Sequence, residues 1–355
     1  MHQTADGGFI MAGHTAAFTD FNGDAYLLKT DANGILQWAK VYGLANFRDR
    51  GYSVRQTVDG GYIIAGETNG YGAGGLDMLL IKTDAAGTVT WSKTFGGAND
   101  ETARSVRQLP DGGYILAGYT KTYGAGPGFN DVYVVRTSST GNAIWRKTYG
   151  LSADDWGYTI ERTTDGGYII GATTDFNGTT FYDMALIKID SGGTLTWAKR
   201  YGGSGTDFGT TAIQSADGGY LIGGMSNSFG AVGYDAYLVK TNATGVETWS
   251  KKYGGNGSFE QIWEIKQTTD LGYVLGGYTM SYGQGGRETW VMKATSAGVV
   301  GCNETTPTTV TTTWNVLTGT GGNTGSGPVM TNASAAVRRP NPIRNIQCFS
   351  GGPCP

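Results

Sequence analysis

The sequence predicts an all-β chain: a six-bladed β-propeller of four-stranded antiparallel blades, with a C-terminal non-propeller tail. Three observations lead there. The stretch Asp59-Gly60-Gly61-Tyr62-Ile63-Ile64-Ala65-Gly66 recurs six times, opening at Asp6, Asp59, Asp111, Asp165, Asp217 and Asp270, with Leu271 replacing the first glycine in the last copy. The copies lie 52 to 54 residues apart, beyond most solenoid periods and close to the length of a propeller blade. Each period holds four short β-prone runs divided by Gly/Asp turns, and no window carries an apolar 3.6-residue period long enough for a helix.

The second unit shows the elements in order. Tyr52–Thr57 is a first strand, and Asp59-Gly60-Gly61 supplies the positive φ angles of a tight turn. Tyr62–Ala65 is an apolar strand, and a Gly-rich loop leads to the third strand at Asp77–Lys82. Asp84-Ala85-Ala86-Gly87 is a second turn, and Thr88–Phe95 a fourth strand closed by Gly96-Gly97. The middle strands are apolar on both faces, as expected for blades packed between two neighbours. Trp38, Trp91, Trp145, Trp197 and Trp249 recur on the fourth strand, with Cys302 at that place in unit six. They are expected to fill the gap that widens as blades splay outward.

Residues 1–305 are assigned to the propeller and 306–355 to the tail. Met1–Thr4 aligns with the end of a first strand, so blade one lacks most of its inner strand and no signal peptide is visible. The fourth strand of blade six, Val299–Asn303, is eroded. The tail is Thr-rich and β-prone over Thr308–Val316. It reads either as a flexible terminus or as an arm that donates a strand to blade one or to a second copy.

Net charge is −3 and no basic run occurs, which argues against nucleic acid as a partner. No stretch approaches the roughly 20 apolar residues needed to span a bilayer. The cysteines are Cys302, Cys348 and Cys354, enough for one disulfide and one free thiol. With histidine at positions 2 and 14 alone, a His-based triad or His-ligated metal is not expected.

The paired motifs Asp-Gly-Gly-Tyr-Ile-Ile-Ala-Gly and Lys-Thr-Asp-x-x-Gly-x-x-x-Trp-x-Lys-x-Tyr-Gly-Gly resemble the secreted β-propeller repeats of bacterial and archaeal surface proteins. The Asp-x-x-Gly-x-x-x-Trp portion is also similar to quinoprotein (PQQ) repeats, which have one more residue before the Gly, and to the sialidase Asp-box, which is shorter by one on each side of the Gly. The resemblance implies the fold and an extracellular or cell-surface setting.

Both tight turns of every blade fall on one face, so function is expected on the face of the longer loops. Three recurring positions lie there. A carboxylate stands ten residues before each turn Asp (Asp49, Glu101, Asp155, Asp207, Glu260). It either forms an acidic ring for a cation or sugar hydroxyls, or accepts backbone N–H groups where one blade crosses to the next. A second acid opens each third strand (Asp24, Asp77, Asp131, Asp183, Asp235, Glu288), and Asp20-x-Asn22-x-Asp24 has the spacing that opens a calcium loop. Loop aromatics recur at Phe18, Tyr71, Tyr123, Phe176, Phe229 and Tyr282, as ligand contacts or as caps over the core. Asp154-Asp155-Trp156 is the most site-like break in the repeat.

The expected function is a binding or adhesion module for a glycan or protein at the long-loop face, without catalysis. A subunit that self-assembles into a homo-oligomer through its tail and incomplete first blade is one alternative. A carbohydrate-active enzyme using the long-loop carboxylates is another.

Overall fold

The computed structural model describes residues 1–331 except 17–22, 45, 176–177, 179–180, 230–232, 255–258, 283–285, 302–303, 308–309, 314–316, 320–322 and 327–329. The fold is all-β, a six-bladed β-propeller, with no helix among the described residues. Blade one holds β1 (His2–Gln3), β2 (Phe9–Thr15), β3 (Asp24–Thr30) and β4 (Leu36–Tyr42). Blade two holds β5 (Asp49–Gln56), β6 (Tyr62–Thr68), β7 (Asp77–Thr83) and β8 (Val89–Gly96). Blade three holds β9 (Glu101–Gln108), β10 (Tyr114–Thr120), β11 (Asp131–Thr137) and β12 (Ala143–Gly150). Blade four holds β13 (Asp155–Arg162), β14 (Tyr168–Thr174), β15 (Asp183–Ile189) and β16 (Leu195–Gly202). Blade five holds β17 (Asp207–Gln214), β18 (Tyr220–Ser226), β19 (Asp235–Thr241) and β20 (Glu247–Tyr253). Blade six holds β21 (Glu260–Gln267), β22 (Tyr273–Thr279) and β23 (Glu288–Ala294).

Blade six is a three-stranded sheet among the described residues, because Val299 and Val300 form no strand. Inner strands begin at the carboxylate, three residues earlier than the apolar pattern alone suggests. The polar first turn of each strand hides this, since its acid is paired rather than solvated.

Five short strands follow the propeller: β24 (Glu304–Thr305), β25 (Val310–Thr313), β26 (Leu317–Gly319), β27 (Asn323–Ser326) and β28 (Met330–Thr331). Each pairs antiparallel with a fourth strand: β24 with β20, β25 with β16, β26 with β12, β27 with β8 and β28 with β4. The tail therefore edges blades five to one in reverse order. It meets blade one at β4, not at the short β1.

The chain divides into two compact units. Blades one to three with β26, β27 and β28 form one, and blades four to six with β24 and β25 form the other. Within each unit the cores lie between neighbouring blades. One cluster joins Ile10, Leu27 and Tyr42 to Ile64 and Ile81. Others join blades two and three, four and five, and five and six.

The repeated motifs are the fasteners between blades. Trp38, Trp91 and Trp197 meet the tyrosine of the next blade's Asp-Gly-Gly-Tyr edge-on, with centroids 5.8, 5.7 and 5.6 Å apart. The Tyr42, Tyr201 and Tyr253 hydroxyls donate to the carbonyls of Gly87, Gly245 and Gly298 in the next blade's second turn, at 2.8, 2.7 and 2.7 Å. Gln56, Gln108, Gln214 and Gln267 each accept a turn N–H of the preceding blade, from Ala5, Val58, Thr164 and Ala216.

The turn aspartates do more than shape their turns. Asp59 Oδ1 accepts the Gly61 N–H at 3.1 Å, and its other oxygen meets the Lys82 ammonium at 2.9 Å. The same ion pair joins Asp6 to Lys29, Asp111 to Arg136, Asp165 to Lys188, Asp217 to Lys240 and Asp270 to Lys293. In blades one to five the cation comes from the third strand and is almost wholly buried. The Lys-Thr-Asp motif thus contains the partner of the Asp-Gly-Gly turn.

Candidate ligand-binding face

Inner strands start beside the last residue of the previous blade's long loop, and one backbone hydrogen bond fixes the approach. The N–H of Asp207 donates to the Tyr182 carbonyl at 2.6 Å, and that of Glu260 to the Tyr234 carbonyl at 2.7 Å. The residue before a third strand is thereby held next to the second residue of the following inner strand. Where both positions are aromatic, their rings must meet.

Both are aromatic where Tyr182 meets Phe208, and at the next crossing Tyr234 meets Phe259, the residue just before β21. Trp156 lies 5.0 Å from Tyr182, Tyr182 5.2 Å from Phe208, Phe208 6.3 Å from Tyr234, and Tyr234 5.1 Å from Phe259, between ring centroids. Two of these contacts are stacked, at 29° and 23° between planes. The first four rings are half-buried, and Phe259 is 41 % exposed. The adjoining Phe181 is 57 % exposed. In blades one and two the corresponding positions are Gly23, Arg50, Leu76 and Thr102, so no such ladder forms there.

Acids gather at the Trp156 end. Burial first, and then the nearby Asp154 and Asp175 carboxylates, push the Tyr182 phenol up. Asp175 donates its N–H to the Asp154 carbonyl at 2.8 Å. The strip therefore offers π-faces along its length and oxygen acceptors at one end.

Alternation along β13 divides the Asp154-Asp155-Trp156 break in two. Asp155 is fully buried, while Asp154 and Trp156 remain partly accessible. The other inner-strand carboxylates are also fully buried. Glu101 accepts the Gly97 and Thr122 N–H groups at 2.7 and 3.1 Å, and Asp207 accepts the Gly203 N–H at 2.9 Å. They bind the blade crossing, the structural role weighed against an acidic ring.

Two loop aromatics, Tyr123 and Phe229, pack on the core. Tyr123 packs on the core 5.8 Å from Tyr133 and donates its hydroxyl to the Gly96 carbonyl at 2.6 Å. Phe229, at φ 60°, lies 5.5 Å from Tyr237. Both roof the core. Tyr71 and Tyr282 are half-buried, and Phe18 and Phe176 lie outside the described residues. So do Asp20 and Asn22 of the calcium-loop spacing, and Cys302, Cys348 and Cys354. Asp24 is buried against the following blade's Asp49, both above Gly43. No group of three or more His, Cys, Asp or Glu side chains suited to a metal occurs among the described residues.

No family model matches the chain, and no curated protein matches its sequence. The repeats must therefore serve as each other's comparison.

That comparison exposes a second recurring feature. Every complete inner strand carries a β-bulge, placing Tyr52, Arg104, Tyr158, Thr210 and Trp263 as the extra residue. Bulges re-aim a side chain, and these five differ in type while their neighbours repeat. In blades two and three Arg104 lies over the Tyr52 ring, 4.2 Å from its centroid, and donates to the Tyr119 hydroxyl at 3.1 Å. Tyr52 in turn donates to Glu67 at 2.9 Å, and Glu67 also pairs with Arg48. This cation-rich cluster contrasts with the aromatic ladder of the other unit.

The buried acids set a pH dependence. Burial, with the charge of Glu101, pushes Asp77 up to about 6. Burial, with the charge of Asp183 and against the hydrogen bonds it accepts, pushes Asp207 up to about 6. A carboxyl with a raised folded-state value binds its proton more tightly when folded. Stability is then greatest with the proton on and falls as pH rises from near 4 to 6. Urea midpoints should therefore be higher at pH 5 than at pH 7. Asp77→Asn should flatten that slope.

Proposed function

We propose that this chain is a glycan-binding module of an extracellular or cell-surface protein, and that it grips its ligand on the Trp156–Tyr182–Phe208–Tyr234–Phe259 ladder. The ladder carries the reading. Sugar rings present apolar C–H faces that stack on aromatic rings, while their hydroxyls seek acceptors such as the partly accessible Asp154. A partly exposed aromatic strip limited to half of a repeating chain departs from the repeat where packing does not demand it. The low charge of the sequence and its likeness to surface-protein repeats support the setting.

The test is binding of the whole chain to an array of neutral and acidic glycans, followed by calorimetry on the best ligand. Trp156→Ala and Phe208→Ala should each weaken binding about ten-fold, as expected for about 1–1.5 kcal/mol per stacked ring. Tyr71→Ala and Tyr282→Ala should leave it within two-fold. Undiminished binding by the Trp156→Ala/Phe208→Ala double variant, or no glycan bound at all, would remove the proposal. A protein ligand captured through the same rings would replace it.

A further inference from the structure

Where one blade crosses to the next, two buried carboxylates share the space above a single glycine. A methyl group on Gly202 would collide with Asp183 and come within 2.6 Å of Asp207. One on Gly96 would collide with Asp77 and come within 2.6 Å of Glu101. Like charges brought this close in a low-dielectric interior repel strongly, and a positive charge between them relieves the repulsion.

Blades four and five provide one from the fourth strand. Arg200 pairs with Asp183 at 2.5 Å, and Lys252 pairs with Asp235 at 2.7 Å. Arg200 stands opposite Ala185, and Lys252 opposite Tyr237, the third residue of each third strand. In blade two the residue at that register is Thr94, opposite Leu79. Its side chain is directed as the other two are. Thr148, its counterpart in blade three, reaches the Tyr123 carbonyl at 3.5 Å, as Lys252 reaches the Phe229 carbonyl at 3.3 Å. Thr94 is 1 % exposed, and its hydroxyl has no hydrogen-bond partner among the described residues. Asp77 and Glu101 are likewise buried, at 1 % and 0 %.

We infer that blade two carries a divalent-cation site, bound by the Asp77 and Glu101 carboxylates and the Thr94 hydroxyl, in the place of the Arg200 and Lys252 side chains of blades four and five. All three donors are oxygens, the set that suits a hard cation such as Ca²⁺. Two carboxylates neutralise its charge, and burial strengthens the attraction.

The test uses the full chain, stripped with a chelator and returned to buffer of constant ionic strength at pH 7.5. CaCl₂ or MgCl₂ at 1 mM should raise the unfolding midpoint by several degrees relative to NaCl. Thr94→Lys, which installs the blade-five solution, should equal or exceed the wild type without metal and gain nothing from CaCl₂. If that variant does not fold, Glu101→Gln serves instead and should lose the response. Thr94→Val should weaken Ca²⁺ binding about ten-fold. The inference is overturned if neither cation shifts the wild type, which assigns the pair a shared proton, or if the shift persists undiminished in Thr94→Lys or Glu101→Gln.

Discussion

Replacing Gly118 with alanine should destabilise the protein by at least about 3 kcal/mol, while the same change at Gly13 should be neutral or slightly stabilising. The two glycines hold the same place in the repeat, at the end of Asp-Gly-Gly-Tyr-x-x-Ala-Gly. They differ in what lies across the sheet. Gly118 faces the bulge of β9, and a Cβ there would run into the Thr102 carbonyl. A backbone atom cannot swing aside as a side chain can, so the strand must shift. Gly66, Gly224 and Gly277 meet the carbonyls of Arg50, Phe208 and Gln261 in the same way. Blade one has only the two-residue β1 and so no bulge opposite Gly13, and among the described residues nothing lies within 4 Å of a Cβ there. Alanine there restricts the unfolded chain and can add about 0.4–1 kcal/mol. Blade four already carries Ala172 at this register. It stands opposite Gly157 as Gly66 and Gly224 stand opposite Gly51 and Gly209, so the residue across the sheet does not explain why blade four admits a Cβ. Urea denaturation of the two variants decides the point, and equal midpoints would show that the bulge is not what the motif's last glycine serves.

Asp165→Asn should lose about 2 kcal/mol at pH 7, more than Lys188→Met. The ion pair is lopsided: the Lys188 side chain is 4 % exposed and that of Asp165 is 61 % exposed. Removing the acid leaves a buried ammonium donating to the Ile189 carbonyl at 3.2 Å, and stranded buried charges are costly. Solvent at the acid's end screens the pair and keeps the loss below the fully buried case. Removing the lysine leaves an aspartate that water can reach, while methionine keeps the apolar stem packed. The pair also governs the acid limit. Against the desolvation that would raise them, the paired lysine and the turn hydroxyl hold Asp59, Asp165 and Asp217 down to about 2. Groups with lowered values stabilise above their unfolded range, near 4, and that contribution is lost as pH falls toward 2. Together with Asp77 and Asp207, which act in the opposite sense, they place the stability maximum near pH 4–5. A maximum at neutral pH would contradict both assignments.

The turns and the outer tryptophans were legible in the sequence because their demands are local. Gly60 needs a positive φ, and Trp91 must fill a gap that every blade leaves. The Lys82 pairing was legible in principle, since Lys or Arg recurs on each third strand, but its partner lies across the blade and spacing alone does not name it. The bulges left a trace as well: Tyr52, Arg104 and Trp263 vary where their neighbours repeat. The ladder needed the backbone bond between Tyr182 and Asp207, which brings two separate positions side by side. An aromatic recurring at every half-repeat from Trp156 to Phe259 is its signal, hidden because half-repeats have no meaning until the blade crossing is known. The loop aromatics drew attention by their regularity, and regularity is what core packing produces.

The reverse order of the tail strands bears on how the molecule is made. During synthesis β4 emerges first and its partner β28 emerges last, so the outermost edge of blade one waits longest for its cover. The ribosome releases the blades with a row of bare amides and carbonyls, and residues 304–331 seal them afterwards, starting from blade five. A chain cut short before Glu304 would yield a propeller whose rim is ready to pair with any strand it meets.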